Sequence, residues 1–240
     1  MWLLAGVSVA EEGEGKAATT SLKPGEIEGF EENPDPVKAM LEEALELMGR
    51  GLGYKYGSAD PDAGGMDCSG AIYYLLTSQG VEGVPRSSSA MYRWAWENGR
   101  MYPVSSSSLK TFELSELKPG DLLFWSGTYD IDREPPITHV MIYLGEEKGS
   151  GRRVMVGASN GRSYKGVAQH GVSVFDFKLP TGKARAGRTP RFCGYVSVPG
   201  LVPEVGECGG DGDGDGNEDE DGDVDGDGDE DGDGDGAAGG

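Results

Sequence analysis

The stretch Met66-Asp67-Cys68-Ser69-Gly70, running straight into Ala71-Ile72-Tyr73-Tyr74-Leu75-Leu76, constrains this chain more than any other. Asp67 suits the turn before a helix and Gly80 suits its end, while Ile72, Leu75, Leu76 and Gln79 mark an inward face and its border. This spacing predicts a helix with Cys68 at its mouth. There the unpaired backbone N–H groups and the positive end of the macrodipole favour thiolate over thiol, and the thiolate is the nucleophile. The competing reading is a buried structural cysteine, because free Cys is among the most buried residue types.

A Cys–His mechanism has only two histidines to draw on, His139 and His170. In Thr138-His139-Val140-Met141-Ile142-Tyr143-Leu144-Gly145, the alternation of Val140, Ile142 and Leu144 against His139, Met141 and Tyr143 predicts a strand that begins at His139. Upstream, Lys118-Pro119-Gly120-Asp121 is a turn feeding a second apolar strand, Leu122-Leu123-Phe124-Trp125. Two neighbouring strands can carry the imidazole across to the helix that bears Cys68. A lone strand histidine is also a common structural residue, and the helix-mouth cysteine is what favours the base reading.

Five pieces in order, Tyr54-Lys55-Tyr56-Gly57, Asp67-Cys68-Ser69-Gly70, Pro85-Arg86-Ser87-Ser88-Ser89, Leu117–Phe124 and Thr138–Gly145, resemble the NlpC-type cell-wall peptidases. The resemblance runs from about Tyr54 to about Phe177. It implies a papain-like cysteine hydrolase that cuts peptidoglycan stem peptides, with Cys68 as nucleophile, His139 as base and Tyr54 lining the site. The bond between γ-linked D-Glu and the diamino acid is implied by the resemblance alone. One departure is plain: Gly157 stands where the family often has a third polar residue that orients the histidine. Three residues on, Asn160 offers an amide oxygen for that part, with Ser159 behind it; the alternative is that Asn160-Gly161 simply makes a turn. His170 can also serve if the Gly161–Gly171 segment is a loop folding back over the site.

These residues support amide hydrolysis through a Cys68 thioester, with the Cys68 backbone N–H available to the developing oxyanion. An amidase or acyltransferase using the same pair, or a catalytically inactive wall-binding module, are the alternatives. Asp67 and Ser69 border the nucleophile; the small side chain of Ser69 keeps the approach open, or is an ordinary first-turn residue. Arg86 can hold a substrate carboxylate bidentately or pair with an internal acid.

The net charge of −21 is mostly local. Residues 211–240 hold 15 acidic and no basic residues, which leaves about −6 for the rest of the chain. With no basic face, the chain has no nucleic-acid partner in this reading. The Asp/Gly-rich segment predicts a disordered polyanion. Asp221-Gly222-Asp223-Val224-Asp225-Gly226 resembles a Ca²⁺ loop, but Gly232 stands at the twelfth position where such loops need a bidentate Glu. Weak divalent-cation binding by the tail fits a disordered polyanion; no cofactor and no metal centre are otherwise expected.

At the other end, Met1-Trp2-Leu3-Leu4-Ala5-Gly6-Val7-Ser8-Val9-Ala10 reads as a truncated secretory signal, or as a plain apolar segment. No stretch is long enough to span a bilayer. Asp35-Pro36 predicts a capped helix with Val37, Met40, Leu41, Ala44, Leu45 and Met48 inward, ending near Arg50-Gly51. A further helix is expected over about Ser88–Asn98, and later strands over 153–161, 171–177 and 192–198. Helices first and antiparallel strands after them give an α+β class: a papain-like core with N-terminal helices packed on a central antiparallel sheet. The expected organisation is a signal at 1–10, a linker at 11–34, the peptidase domain at 35–200 and the acidic tail at 201–240, in an exported protein. Cys193 and Cys208 either pair, stabilising by about 3 kcal/mol, or stay free.

Overall fold

Residues 21–181 and 188–201 are described by the computed structural model. The signal reading at 1–10, Cys208 and the acidic tail lie outside them. Chain contacts divide the protein into residues 1–204 and 205–240, and everything below concerns the first unit.

The apolar stripe of 37–48 forms helix α1, Asp35–Gly49, and buries Val37, Met40, Leu41, Ala44, Leu45, Leu47 and Met48. Asp35 does not cap it. The Pro34 carbonyl already accepts from the Lys38 N–H, so Asp35 is the first helical residue and instead pairs with Lys38 at 2.9 Å. Two short strands, β1 (Gly53–Tyr54) and β2 (Gly65–Met66), pair in parallel and lead into helix α2, Cys68–Ser78. Gly80 takes a left-handed φ of 77° where α2 ends. Helix α3, Ser88–Asn98, is capped by the Ser87 hydroxyl.

The remaining strands are β3 (Met101–Pro103), β4 (Leu122–Ser126), β5 (Ile137–Glu147), β6 (Arg152–Tyr164), β7 (Val167–Asp176) and β8 (Arg191–Val196). They form one six-stranded sheet in the order β3-β8-β4-β5-β6-β7 with antiparallel pairing throughout. The fold is therefore α+β, with three α-helices among the described residues on a central antiparallel sheet.

Strand alternation sorts the core into two layers. Val140, Ile142 and Leu144 of β5 join Phe124, Val154, Val156, Val172 and Val174 under the helices. Met141 and Tyr143 point the other way, into a second layer with Trp125, Met155, Phe175, Phe177, Phe192 and Tyr195. Val104 and Leu114 cover that layer from the long connection between β3 and β4. Both faces of β5 are thus buried, a rigid mount for whatever its first residues carry.

The segment 161–171 is not a loop. Strands β6 and β7 continue through it as a hairpin, turning at Lys165 (φ 51°) and Gly166 (φ 80°). The register slips between Asn160 and Arg162, a β-bulge at Gly161, whose φ is 116°.

Candidate active site

Asp67 builds the mouth of α2. Its Oδ1 accepts from the Gly70 N–H at 2.6 Å and from the Ser69 hydroxyl at 3.2 Å, and its Oδ2 accepts from the Gly57 N–H at 2.8 Å. The Arg86 guanidinium lies fork to fork on the same carboxylate, Nη1 to Oδ1 and Nη2 to Oδ2, both at 3.1 Å, and Nη1 also reaches the Ser69 hydroxyl at 3.0 Å. Of the two readings of Arg86, this geometry is the internal pair: its fork faces Asp67, and Ser69 is tied into the same network. Gly70 is required by close approach, because a Cβ there would stand 2.0 Å from the Ser58 carbonyl oxygen. That carbonyl accepts from the Asp67 N–H at 3.0 Å, so the 57–58 turn is clamped on the helix mouth.

Cys68 is buried at the mouth. Burial is the main influence and pushes the thiol up, with the charge of Asp67 adding to it; the N–H groups of Val140 on β5, of Ser69 and of Cys68 itself favour the thiolate and are outweighed. The helix-mouth expectation of a lowered pKa is therefore offset by desolvation. Burial, with the neighbouring Cys68 sulfur, pushes the Tyr54 phenol up as well.

The Val140 N–H on the sulfur puts α2 against β5 one residue from His139. His139 is buried, its ring tilted against Trp125 at 5.7 Å between centroids, and its Nε2 makes no hydrogen bond. Burial first, and the Arg162 cation second, hold it well below the ordinary histidine range, so the imidazole is neutral at pH 7.

Two cavities adjoin here and share Tyr54 and Tyr129. One, of about 520 Å³, holds Cys68, Asp67, Ser69 and Arg86; the other, of about 560 Å³, holds His139, Trp125, Ser159, Asn160 and Arg162.

Asn160 lines the second cavity, but its Oδ1 is held by Nδ1 of His170, directly across the β6–β7 pair, at 2.7 Å. The amide oxygen and the second histidine thus satisfy one another. Gly157 packs on Met141, and a Cβ there would lie 2.9 Å from its sulfur.

Arg162 and Tyr129 were not legible as site residues. The Gly161 bulge skips one position of the alternation, so Arg162 takes the face that Ser159 occupies. Its guanidinium stacks on Trp125 at 4.3 Å. Burial brings its pKa down to about 10, with Cys68 opposing. A glycine inside a strand pattern is the signal that marks such a bulge.

Among the described residues no group of three or more His, Cys, Asp or Glu side chains is placed to hold a metal. Cys193 is half-buried and forms no disulfide among the described residues.

Cys68 thus stands at a helix mouth, set against the strand that carries a buried neutral histidine, on an α+β fold. Residues 51–170, half of the chain, match the NlpC/P60 family, and the chain belongs to that family. It is also similar to a solved lipoprotein-like protein of the NLP/P60 family from Staphylococcus aureus subsp. aureus Mu50, at 22% identity and a TM-score of 0.43. The match covers 70% of this chain and 42% of that one, so the chain spans less than half the length of that protein. No curated protein matches it.

Proposed function

We propose that the protein is a cysteine endopeptidase that hydrolyses amide bonds in peptidoglycan stem peptides, with Cys68 as nucleophile and His139 as general base. The observation that carries this reading is the buried thiol at the mouth of α2, packed against the strand that bears a buried, neutral imidazole whose Nε2 has no hydrogen-bond partner. Membership of a cell-wall hydrolase family supports the substrate class. The bond between γ-D-Glu and the diamino acid is the cleavage point that the family resemblance favours, and an exported, wall-associated protein follows from such a substrate.

In this mechanism the resting pair is uncharged, because burial raises the thiol and lowers the imidazole. His139 takes the thiol proton as the sulfur attacks the carbonyl carbon. The imidazolium then protonates the leaving nitrogen, the C–N bond breaks and a thioester remains. Water adds to it with His139 again as base, releasing the carboxylic acid and restoring the thiol. The N–H groups of Cys68 and Ser69 lie at the helix end where the oxyanion develops. Asp67 and Arg86 act as positioning residues that hold this end in place.

The test is digestion of purified peptidoglycan by the full chain and by Cys68→Ala, with muropeptides read by mass spectrometry. New fragments from the wild type only are expected, and their masses identify the bond. No cleavage by either protein, with wall binding retained, would favour a binding module instead.

A further inference from the structure

The cavity that holds His139 is lined by three cations, Arg162, Lys178 and Arg188, and by no Asp or Glu among the described residues. Outside residues 211–240 the chain still carries about −6, so an all-cationic lining does not follow from its average charge. Lys178 and Arg188 have acidic partners outside the lining, Asp176 at 2.8 Å and Asp130 at 3.8 Å. Arg162 has none: among the described residues its guanidinium makes no ion pair or hydrogen bond and rests on the Trp125 ring. One more donor in the same cavity wall, Trp125 Nε1, is buried without a partner. Leaving donors unpaired in a desolvated place is costly unless a ligand completes them.

The mechanism says which part of a substrate comes here. His139 hands its proton to the leaving nitrogen, so the residue on the amine side of the scissile bond must sit on the imidazole's side of the cleft. We infer that Arg162 is a specificity residue that binds a free carboxylate on the amine-side residue of the substrate, selecting a diamino acid with an unmodified second carboxyl group. A planar guanidinium already stacked on an aromatic ring is suited to this, since its fork keeps its bidentate edge for the carboxylate. The bulge at Gly161 is the device that delivers it. This inference rests on the proposed peptidase reading and deepens it.

The test compares two synthetic stem peptides that differ only in the amine-side residue, one with its second carboxyl free and one with it amidated. The ratio of kcat/KM for the pair is measured for wild type, Arg162→Met and Arg162→Lys. A charge-assisted pair should give the wild type about a tenfold or greater preference for the free acid. The ratio should fall close to one in Arg162→Met and be intermediate in Arg162→Lys. Because both peptides meet the same folded fraction, partial misfolding of a variant does not move the ratio. A wild-type ratio near one, or a preference that survives Arg162→Met, overturns the inference and leaves the peptidase reading intact. If neither peptide is cleaved, that reading fails by itself, and calorimetry of both peptides with Cys68→Ala and Cys68→Ala/Arg162→Met decides the inference. Selective binding of the free acid that is lost with Arg162 sustains it, and equal binding, or none, overturns it.

Discussion

Arg86→Met and Asp67→Asn, made singly and together, should reveal a coupling of about 2 kcal/mol in stability. The figure follows from the geometry. Both carboxylate oxygens face the guanidinium at 3.1 Å, the Asp67 side chain is 9% exposed and that of Arg86 is 37% exposed. A fully exposed pair contributes below about 1 kcal/mol. Removing one partner of a fully buried pair costs about 3–5 kcal/mol. This pair, with one member buried and the other partly wet, lies between. Asp67→Asn keeps an amide oxygen for the Gly70 N–H, so most of a helix cap worth about 1 kcal/mol survives and the cycle reports the charge pair. Met keeps the bulk of the arginine stem. Urea unfolding of the four proteins at pH 7 supplies the cycle, and peptidoglycan digestion by each should show kcat falling as the pair that steadies the helix mouth is lost, because Cys68 is the next residue. A coupling below about 0.5 kcal/mol would refute the reasoning. So would an Arg86→Met protein of unchanged stability whose only defect is a raised KM, which would make Arg86 a substrate ligand.

Three further outcomes are expected. Gly70→Ala should destabilise by about 3 kcal/mol and abolish cleavage, since its Cβ would meet the Ser58 carbonyl oxygen at 2.0 Å; thermal unfolding checks it, and an unchanged Tm would refute the clamp. Asp121, buried in the turn before β4, has its pKa pushed up to about 6 by burial against the donors of Lys118 and Ser197, so its folded form holds a proton that the unfolded chain has released. Wild type should therefore lose up to about 3 kcal/mol relative to Asp121→Asn as pH rises from 4 to 7, seen as a widening gap in urea midpoints. His139 has the opposite sense: kept neutral when folded, it lets the unfolded chain take up the extra proton below about pH 6.5. Relative to His139→Gln, wild type should be fully stable above that pH and lose up to about 1.4 kcal/mol per pH unit as pH falls below it, and kcat/KM should hold its acid limb below pH 6.5. A gap that does not change between pH 7 and pH 5 would contradict the burial of the imidazole.

Much of the frame is legible in local sequence, because helix ends and strand faces are set by neighbours a few residues away. Asp67, Gly80 and the Ile72–Leu76 stripe bound α2, and Ser88–Asn98 forms α3 as read. The alternation through Val140–Leu144 puts a strand under His139, although β5 begins two residues earlier, at Ile137, and Cys68 lies near Val140. Where the reading depended on what lies across a fold, the outcome differed. Asp35 is inside α1 because the chain before it lets Pro34 accept the first bond. The second apolar layer was invisible because both faces of β5 look equally alternating, and only the packing of Val104 and Leu114 makes the outer one a core.

For the candidate site, Cys68, His139 and Asp67 are marked by short motifs whose chemistry is local, and Tyr54 by the family resemblance. Tertiary structure alone decided how the other polar groups are used. Arg86 meets Asp67 across 19 positions, and Asn160 meets His170 across the hairpin. Arg162 reaches the imidazole's cavity because one glycine shifts the register of a strand. Such pairings turn on register and burial, which depend on distant segments arriving together; short-range propensities carry no record of them.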